Sequence, residues 1–206
     1  MIVLAVLAFG MPVLQAQVTC DVELGWDDFP YSDGGQTIGL SVTGSGVRYG
    51  VSYSNCGITT KAGSIWIGNE VGTFTNTFSI PVNTLVYQFT GADSGEEITV
   101  TTDPPGVVTI AYIDGTCPEL VTIVDNVITF PGAVAGGVLQ ITSTTAFTSI
   151  TFSHNGLGNG ALFTLCYDDS FEADPPDEPA PVPLSRWSLI LGGLLIGAVV
   201  VWRFKA

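Results

Sequence analysis

Residues 74–80, Phe-Thr-Asn-Thr-Phe-Ser-Ile, decide the fold class of this chain. Phe74, Phe78 and Ile80 are large and apolar, and small polar residues stand between them. Side chains of a strand point alternately to its two faces, so this spacing is typical of a β-strand with one buried and one solvated face. Residues 47–53 repeat the pattern, with Val, Tyr, Val and Tyr at the odd positions, and also predict a half-buried strand.

Similar short segments continue along the chain between residues 17 and 169. Further predicted strands are 36–42, 85–90, 97–102, 107–113, 120–124, 127–130, 138–143, 146–153 and 161–167. Turn-forming residues such as Asp, Asn, Gly and Pro separate them, and no part of this region has helical periodicity. We therefore predict an all-β ectodomain over 17–169, an antiparallel two-sheet sandwich with Greek-key or jelly-roll connections.

The four cysteines all lie in this domain, at Cys20, Cys56, Cys117 and Cys166. An even number of cysteines in an exported chain favours two disulfides. Sequence alone allows three pairings, and we prefer neighbours along the chain, Cys20 with Cys56 and Cys117 with Cys166. No Cys-x-x-Cys pair is present and the single histidine is distant from the cysteines, so we expect no zinc site.

The charge of the chain is strongly one-sided. Between Asp21 and Glu178 there are 19 acidic residues against two basic ones, Arg48 and Lys61, a net charge of −17. Such a surface repels phosphate backbones, which argues against nucleic acid as a partner. Its simplest role is to keep an exported domain soluble, although it could also attract cations.

Both ends of the chain predict export. Residues 1–16 are almost wholly apolar and end with Ala16, as in a secretory signal peptide. No Lys or Arg precedes the apolar run, and a start codon placed too far downstream is the simplest explanation. The alternative is an N-terminal anchor that is not cleaved.

The C-terminal part predicts a membrane anchor. Residues 170–183 are rich in acid and proline, a composition that favours an extended spacer. Residues 184–202 follow as an apolar segment that would measure roughly 28 Å as a helix, close to the thickness of the bilayer core. Trp202 marks the end of the segment, and Arg203 and Lys205 in the basic end 203–206 place that end in the cytoplasm.

The start of this segment resembles the IPTL-CTERM class of sorting signals of Gram-negative bacteria, in which Ile-Pro-Thr-Leu-Ser-x-Trp precedes a hydrophobic helix. Leu184, Ser185 and Trp187 match that motif. Val182 and Pro183 align with its Pro-Thr, or with its Ile-Pro if one residue is deleted. The resemblance implies handling by a membrane transpeptidase or protease of the exosortase kind. The ectodomain would then lie in the periplasm first, and later at the cell surface or outside the cell.

Candidates for catalysis and metal binding are few. His154 is the only histidine, stands in Ser-His-Asn-Gly, and is better explained as a turn residue bonded to the backbone. The adjacent carboxylates Asp27 with Asp28, and Glu96 with Glu97, could serve glycoside hydrolysis only if the fold set the required spacing. We therefore expect no enzyme and no cofactor, and keep calcium bound by loop carboxylates as an alternative.

Two classes of function remain from the sequence. The first is a non-enzymatic surface or extracellular-matrix protein carried by a sorting anchor. The second is a module that binds surface polysaccharide by stacking sugar rings on Trp26, Phe29, Tyr31 and Trp66.

Overall fold

A computed structural model describes residues 20–132 and 134–167 of the chain. The predicted signal peptide (1–16), spacer (170–183), membrane segment (184–202) and basic end (203–206) lie outside these residues, as do all the sorting and membrane-flanking positions. In the described part of the chain, no helix has the length and apolar character needed to cross a membrane.

The described residues form an all-β structure whose strands pair antiparallel, which confirms the predicted fold class at that level. The strands are β1 (Val22–Leu24), β2 (Tyr31–Asp33), β3 (Gln36–Thr43), β4 (Val47–Tyr49), β5 (Tyr53–Asn55), β6 (Ile58–Thr60), β7 (Ile65–Ile67), β8 (Val71–Ala92), β9 (Glu97–Asp103), β10 (Val108–Asp114), β11 (Thr122–Val124), β12 (Val127–Thr129), β13 (Ala135–Asn155) and β14 (Ala161–Tyr167). Two short 3-10 helices, Trp26–Asp28 and Pro118–Leu120, interrupt them.

Two long strands, β8 and β13, organise the whole domain. The sequence predicted each as two strands, 74–80 with 85–90 and 138–143 with 146–153, and the structure shows single strands of 22 and 21 residues. They pair along both of their halves, and their register shifts twice: between Ala135 and Gly137 at the start of β13, and around Phe147, which lies between the two long regular stretches. Pro81 falls in this irregular region, where the absence of a backbone N–H removes no regular ladder bond.

The two halves of these strands belong to different layers. The first half of β8 pairs with β3, while its second half pairs with β14. The ring centroids of Tyr87, in the second half of β8, and Phe152, in the second half of β13, are only 4.7 Å apart. Phe74 and Phe163 approach to 5.7 Å in the same way, so the layers pack face to face as in a sandwich. Hydrogen bonding nevertheless runs through one 12-stranded sheet, because β8 and β13 pass through both layers.

The space between the layers holds the hydrophobic core. Its largest fully buried side chains include Tyr87 and six phenylalanines, Phe74, Phe89, Phe130, Phe147, Phe152 and Phe163. Burying this apolar area is the main driving force for the fold, at about 25 cal/mol per Å² removed from water.

A small hairpin forms a third layer. Strands β5 and β6 pair only with each other and cover the outer face of the layer that contains β14. The hydroxyl groups of Thr60 and Thr90 are hydrogen bonded at 2.8 Å, and the side chain of Asn55 bonds to the backbone of Val134 and Gly91. These contacts place the hairpin beside the candidate site.

The prediction of a single half-buried strand over residues 47–53 is wrong. β4 ends at Tyr49, and the backbone of Gly50 then packs so closely on Ser64 and Leu162 that no side chain would fit there. The chain leaves the sheet beyond Gly50, and the side chain of Val51 is 66% exposed. Residues 47–53 do alternate in side-chain character, but the packing of Gly50 against Ser64 and Leu162 ends the strand.

The disulfide prediction is confirmed in number and wrong in pairing. Cys20 is bonded to Cys166, and Cys56 is bonded to Cys117. The first bond joins the beginning of the described chain to its last strand, because β1 and β14 are neighbours in the sheet. The second fixes the β5–β6 turn to the segment after β10. The pairing follows neighbours in the folded sheet, such as β1 beside β14, and not the order of the cysteines along the chain.

Candidate functional site

The best candidate site is an open groove of about 370 Å³ beside the β5–β6 hairpin, which we call the Trp66 groove. Its lining residues are Val51, Tyr53, Trp66, Gly91, Asp93, Val134, Asn159, Gly160 and Leu162. The volume falls within the range of about 300–1,000 Å³ that is typical of small-molecule sites. Strands β7 and β14 form its floor, while the hairpin and the loops after β8 and β13 form its walls.

Two aromatic side chains give the groove its apolar surface. Trp66 is half-buried in β7, and Tyr53 is 42% exposed at the start of β5. Arg48, directly opposite Trp66 on β4, places its guanidinium 3.8 Å from the centroid of the indole ring. This cation–π contact holds the ring in one orientation, a contribution of about 0.5–1 kcal/mol at an exposed site.

A carboxylate and an amide form the polar part of the groove. The Nδ2 atom of Asn159 donates a hydrogen bond of 2.6 Å to Oδ2 of Asp93. The residues come from two separate loops, 66 positions apart in sequence. Together they present oxygen acceptors next to the aromatic surface, an arrangement that suits a ligand with hydroxyl groups.

Buried Glu96 holds those two loops together. The residue is only 1% exposed, and its side chain accepts hydrogen bonds from the backbone N–H groups of Asp93 and Gly160. Asn155 adds a third link by donating to the carbonyl of Gly95 at 3.0 Å. Glu96 therefore positions Asp93 and the Asn159 loop without lining the groove itself.

His154 supports the loop that contains Asn159. Its Nδ1 atom accepts a 2.9 Å hydrogen bond from the N–H of Gly156, as expected for a turn histidine bonded to the backbone. Its Nε2 atom lies 3.9 Å from Oε2 of Glu96, and both side chains are fully buried. This geometry indicates a structural role, because a fully enclosed imidazole cannot reach a ligand in the groove.

The structure separates the four aromatic residues proposed for sugar stacking. Trp26, Phe29 and Tyr31 are half-buried and pack against the main core. Of the four, Trp66 alone lines the groove. The sequence pattern assigned Tyr53 to the buried face of a strand and did not distinguish Asp93 from the other acidic residues.

The carboxylate pairs considered for catalysis are not brought together as pairs. Asp28 binds Lys61 through a 2.8 Å ion pair and accepts the N–H of Gly25, while Asp27 is exposed. Burial would raise the pKa of Asp28, but the hydrogen bonds from Lys61 and Gly25 outweigh it, so this pKa lies below its ordinary value. Glu96 is buried and its neighbour Glu97 is exposed.

The described residues contain no group of three or more His, Cys, Asp or Glu side chains that could hold a metal ion. Calcium binding stays a prediction without a located site. A second cleft of about 420 Å³ lies near the β9–β10 connection and the β11–β12 turn, with Val100, Thr102, Val107 and Asp125 in its lining. It offers no aromatic side chain, so it is a weaker candidate.

The described residues define a disulfide-bonded, acidic, all-β domain with an aromatic groove on its surface. Comparison with protein-family models, with curated proteins and with solved structures found no match.

Proposed function

We propose that this chain is an exported, non-enzymatic protein of the cell surface or extracellular matrix, whose sandwich-like domain is carried by the C-terminal sorting anchor. The observation that supports it best is the oxidised state of the domain: the structure describes all four cysteines, and all are joined in disulfides. Disulfides of this kind persist in oxidising compartments outside the cytosol. The net charge of the described residues, 13 acidic against two basic, suits a soluble exported surface.

Cell fractionation with thiol labelling tests this proposal. The full chain is expected in the envelope fraction or the medium, with no thiol reactive before reduction. A cytosolic protein with four reactive thiols would contradict it. Changing Trp187→Ala in the sorting motif is expected to alter the ratio of anchored to released protein, with the exposed Tyr49→Ala in the domain as the control.

A second candidate function, binding of surface polysaccharide, is favoured by one specific feature. The Trp66 groove combines an aromatic surface from Trp66 and Tyr53 with the hydrogen-bonded pair of Asp93 and Asn159. Apolar surface with a few placed polar groups is the usual composition of a small-molecule site. Aromatic rings supply the stacking surface, and the carboxylate and amide accept sugar hydroxyls.

A glycan array of the full chain tests the second candidate. Binding should be lost in Trp66→Ala and weakened in Tyr53→Ala, while Tyr49→Ala, an exposed aromatic outside the groove, should leave it unchanged. Melting temperatures of the three variants separate loss of the site from loss of the fold. If all three bind like the wild type, the groove is not the glycan site.

A further inference from the structure

We infer that the Trp66 groove selects uncharged glycans and discriminates against glycans that carry carboxylate or sulfate. This inference rests on the proposed glycan binding and adds the chemical class of the ligand. It follows from the kind of polar atoms that line the groove and from the charges around them.

The polar side chains of the groove are rich in acceptors. Asp93 offers carboxylate oxygens, and Asn159 already uses a hydrogen of its Nδ2 group on Oδ2 of Asp93. The oxygens of this pair favour a ligand that contributes donors, and sugar hydroxyl groups are donors that carry no charge. A carboxylate or sulfate group would bring only acceptors to this pair.

Charge around the groove points in the same direction. The described part of the chain has two cations, and neither lines the groove: Lys61 is paired with Asp28, and Arg48 lies on the ring of Trp66. Glu96 adds a second carboxyl group directly behind Asp93. Like charges placed together at a binding site are strongly unfavourable, so an anionic sugar bound against Asp93 would meet repulsion from that carboxylate.

The polar pair is also fixed before a ligand arrives. Glu96 joins the Asp93 turn to the Asn159 loop through two backbone N–H groups, and Asn155 ties the same elements again. The backbone of Asp93 is held in this way, and the bond from Asn159 keeps its carboxylate at the groove. Because Asp93 is held in place before binding, its charge should lower the affinity for anionic glycans relative to neutral ones.

Titration calorimetry on the full chain tests the inference with two probes of equal length, a neutral glucose tetramer and a galacturonate tetramer. We expect the neutral probe to bind at least about tenfold more tightly at low salt, and the difference to shrink at high salt because the repulsion is screened. Asp93→Asn keeps an oxygen that can accept from Asn159 and removes the charge. This variant should reduce the discrimination several-fold with an unchanged melting temperature.

The outcomes separate this inference from the function on which it rests. Galacturonate binding as tight as glucan binding, and lost in Trp66→Ala, would overturn the charge selectivity while leaving glycan binding intact. Binding of neither probe, together with an array free of signal, would overturn both. A ratio that Asp93→Asn does not change would show that Asp93 is not the selective group.

Discussion

At the scale of single residues, Gln36 shows how a buried amide replaces a missing part of a sheet. Its Nε2 donates to the carbonyl of Ile80 at 2.9 Å, and its Oε1 accepts the N–H of Ile80 at 2.8 Å. Ile80 lies where the register between β8 and β13 is irregular, next to Pro81. The side chain of Gln36 therefore completes the backbone hydrogen bonding that the ladder leaves open.

Changing Gln36→Ala should lower the free energy of unfolding by about 1–3 kcal/mol, because a buried backbone group that loses its partner costs about that much. Chemical denaturation measures the change. Ser41→Ala, an exposed position on the same strand, should stay within about 0.5 kcal/mol of the wild type. Equal losses in the two variants would show that the amide of Gln36 has no special role.

The lowered pKa of Asp28 predicts how the free energy of unfolding changes at acidic pH. The pKa of this carboxyl is lower in the folded chain than its ordinary value, so the folded state binds the proton less readily than the unfolded state. Its contribution is complete above about pH 4 and is lost as the pH falls through the lowered pKa.

Asp28→Asn should therefore show a smaller loss of stability between pH 5 and pH 2 than the wild type, measured by denaturation at each pH. Lys61→Met removes the partner and should flatten the dependence in the same way. Parallel curves for all three proteins would mean that the ion pair makes no net contribution.

At the scale of elements, the β5–β6 hairpin depends on its attachments. Its strands are three residues each and pair only with each other, which is too little for independent stability. The Cys56–Cys117 disulfide and the hydrogen bonds of Asn55 and Thr60 hold it on the sheet.

Replacing Cys56 and Cys117 by Ser should speed amide exchange of residues 53–60 while β8 and β14 stay protected. Ligand affinity at the Trp66 groove should fall as well, since Tyr53 forms its wall. The matched control is the replacement of Cys20 and Cys166, which leaves the hairpin attached. Uniform faster exchange in both proteins would contradict a local role of the second disulfide.

At the scale of the whole molecule, the Cys20–Cys166 disulfide closes the domain. It spans 146 positions, against 61 for Cys56–Cys117. Chain-entropy arguments give a stabilisation of about 5 kcal/mol for the longer loop and about 4 kcal/mol for the shorter one.

Removing Cys20–Cys166 should therefore lower the global stability at least as much as removing Cys56–Cys117, as thermal unfolding of the two double variants would show. Peptide mapping without reduction should recover both bonds in the wild type. Recovery of Cys20 with Cys56 would contradict the strand arrangement, because β1 is next to β14 in the sheet.

The sequence by itself determined the all-β class and several strands, because side-chain alternation is local and appears directly in the order of residues. The predicted strand 161–167 has the same bounds as β14 (Ala161–Tyr167). The predicted strand 97–102 ends one residue before the end of β9. The joining of two segments across Pro81 was not visible, since a proline ordinarily ends a regular strand.

Only the tertiary structure decided the cysteine pairing and the groove. Cys20 meets Cys166, and Asp93 meets Asn159, because strands distant in sequence become neighbours in the sheet and its loops. Burial also separated Trp66 from the other aromatic candidates, which pack against the core. These outcomes depend on contacts between distant residues, which a local sequence pattern does not encode.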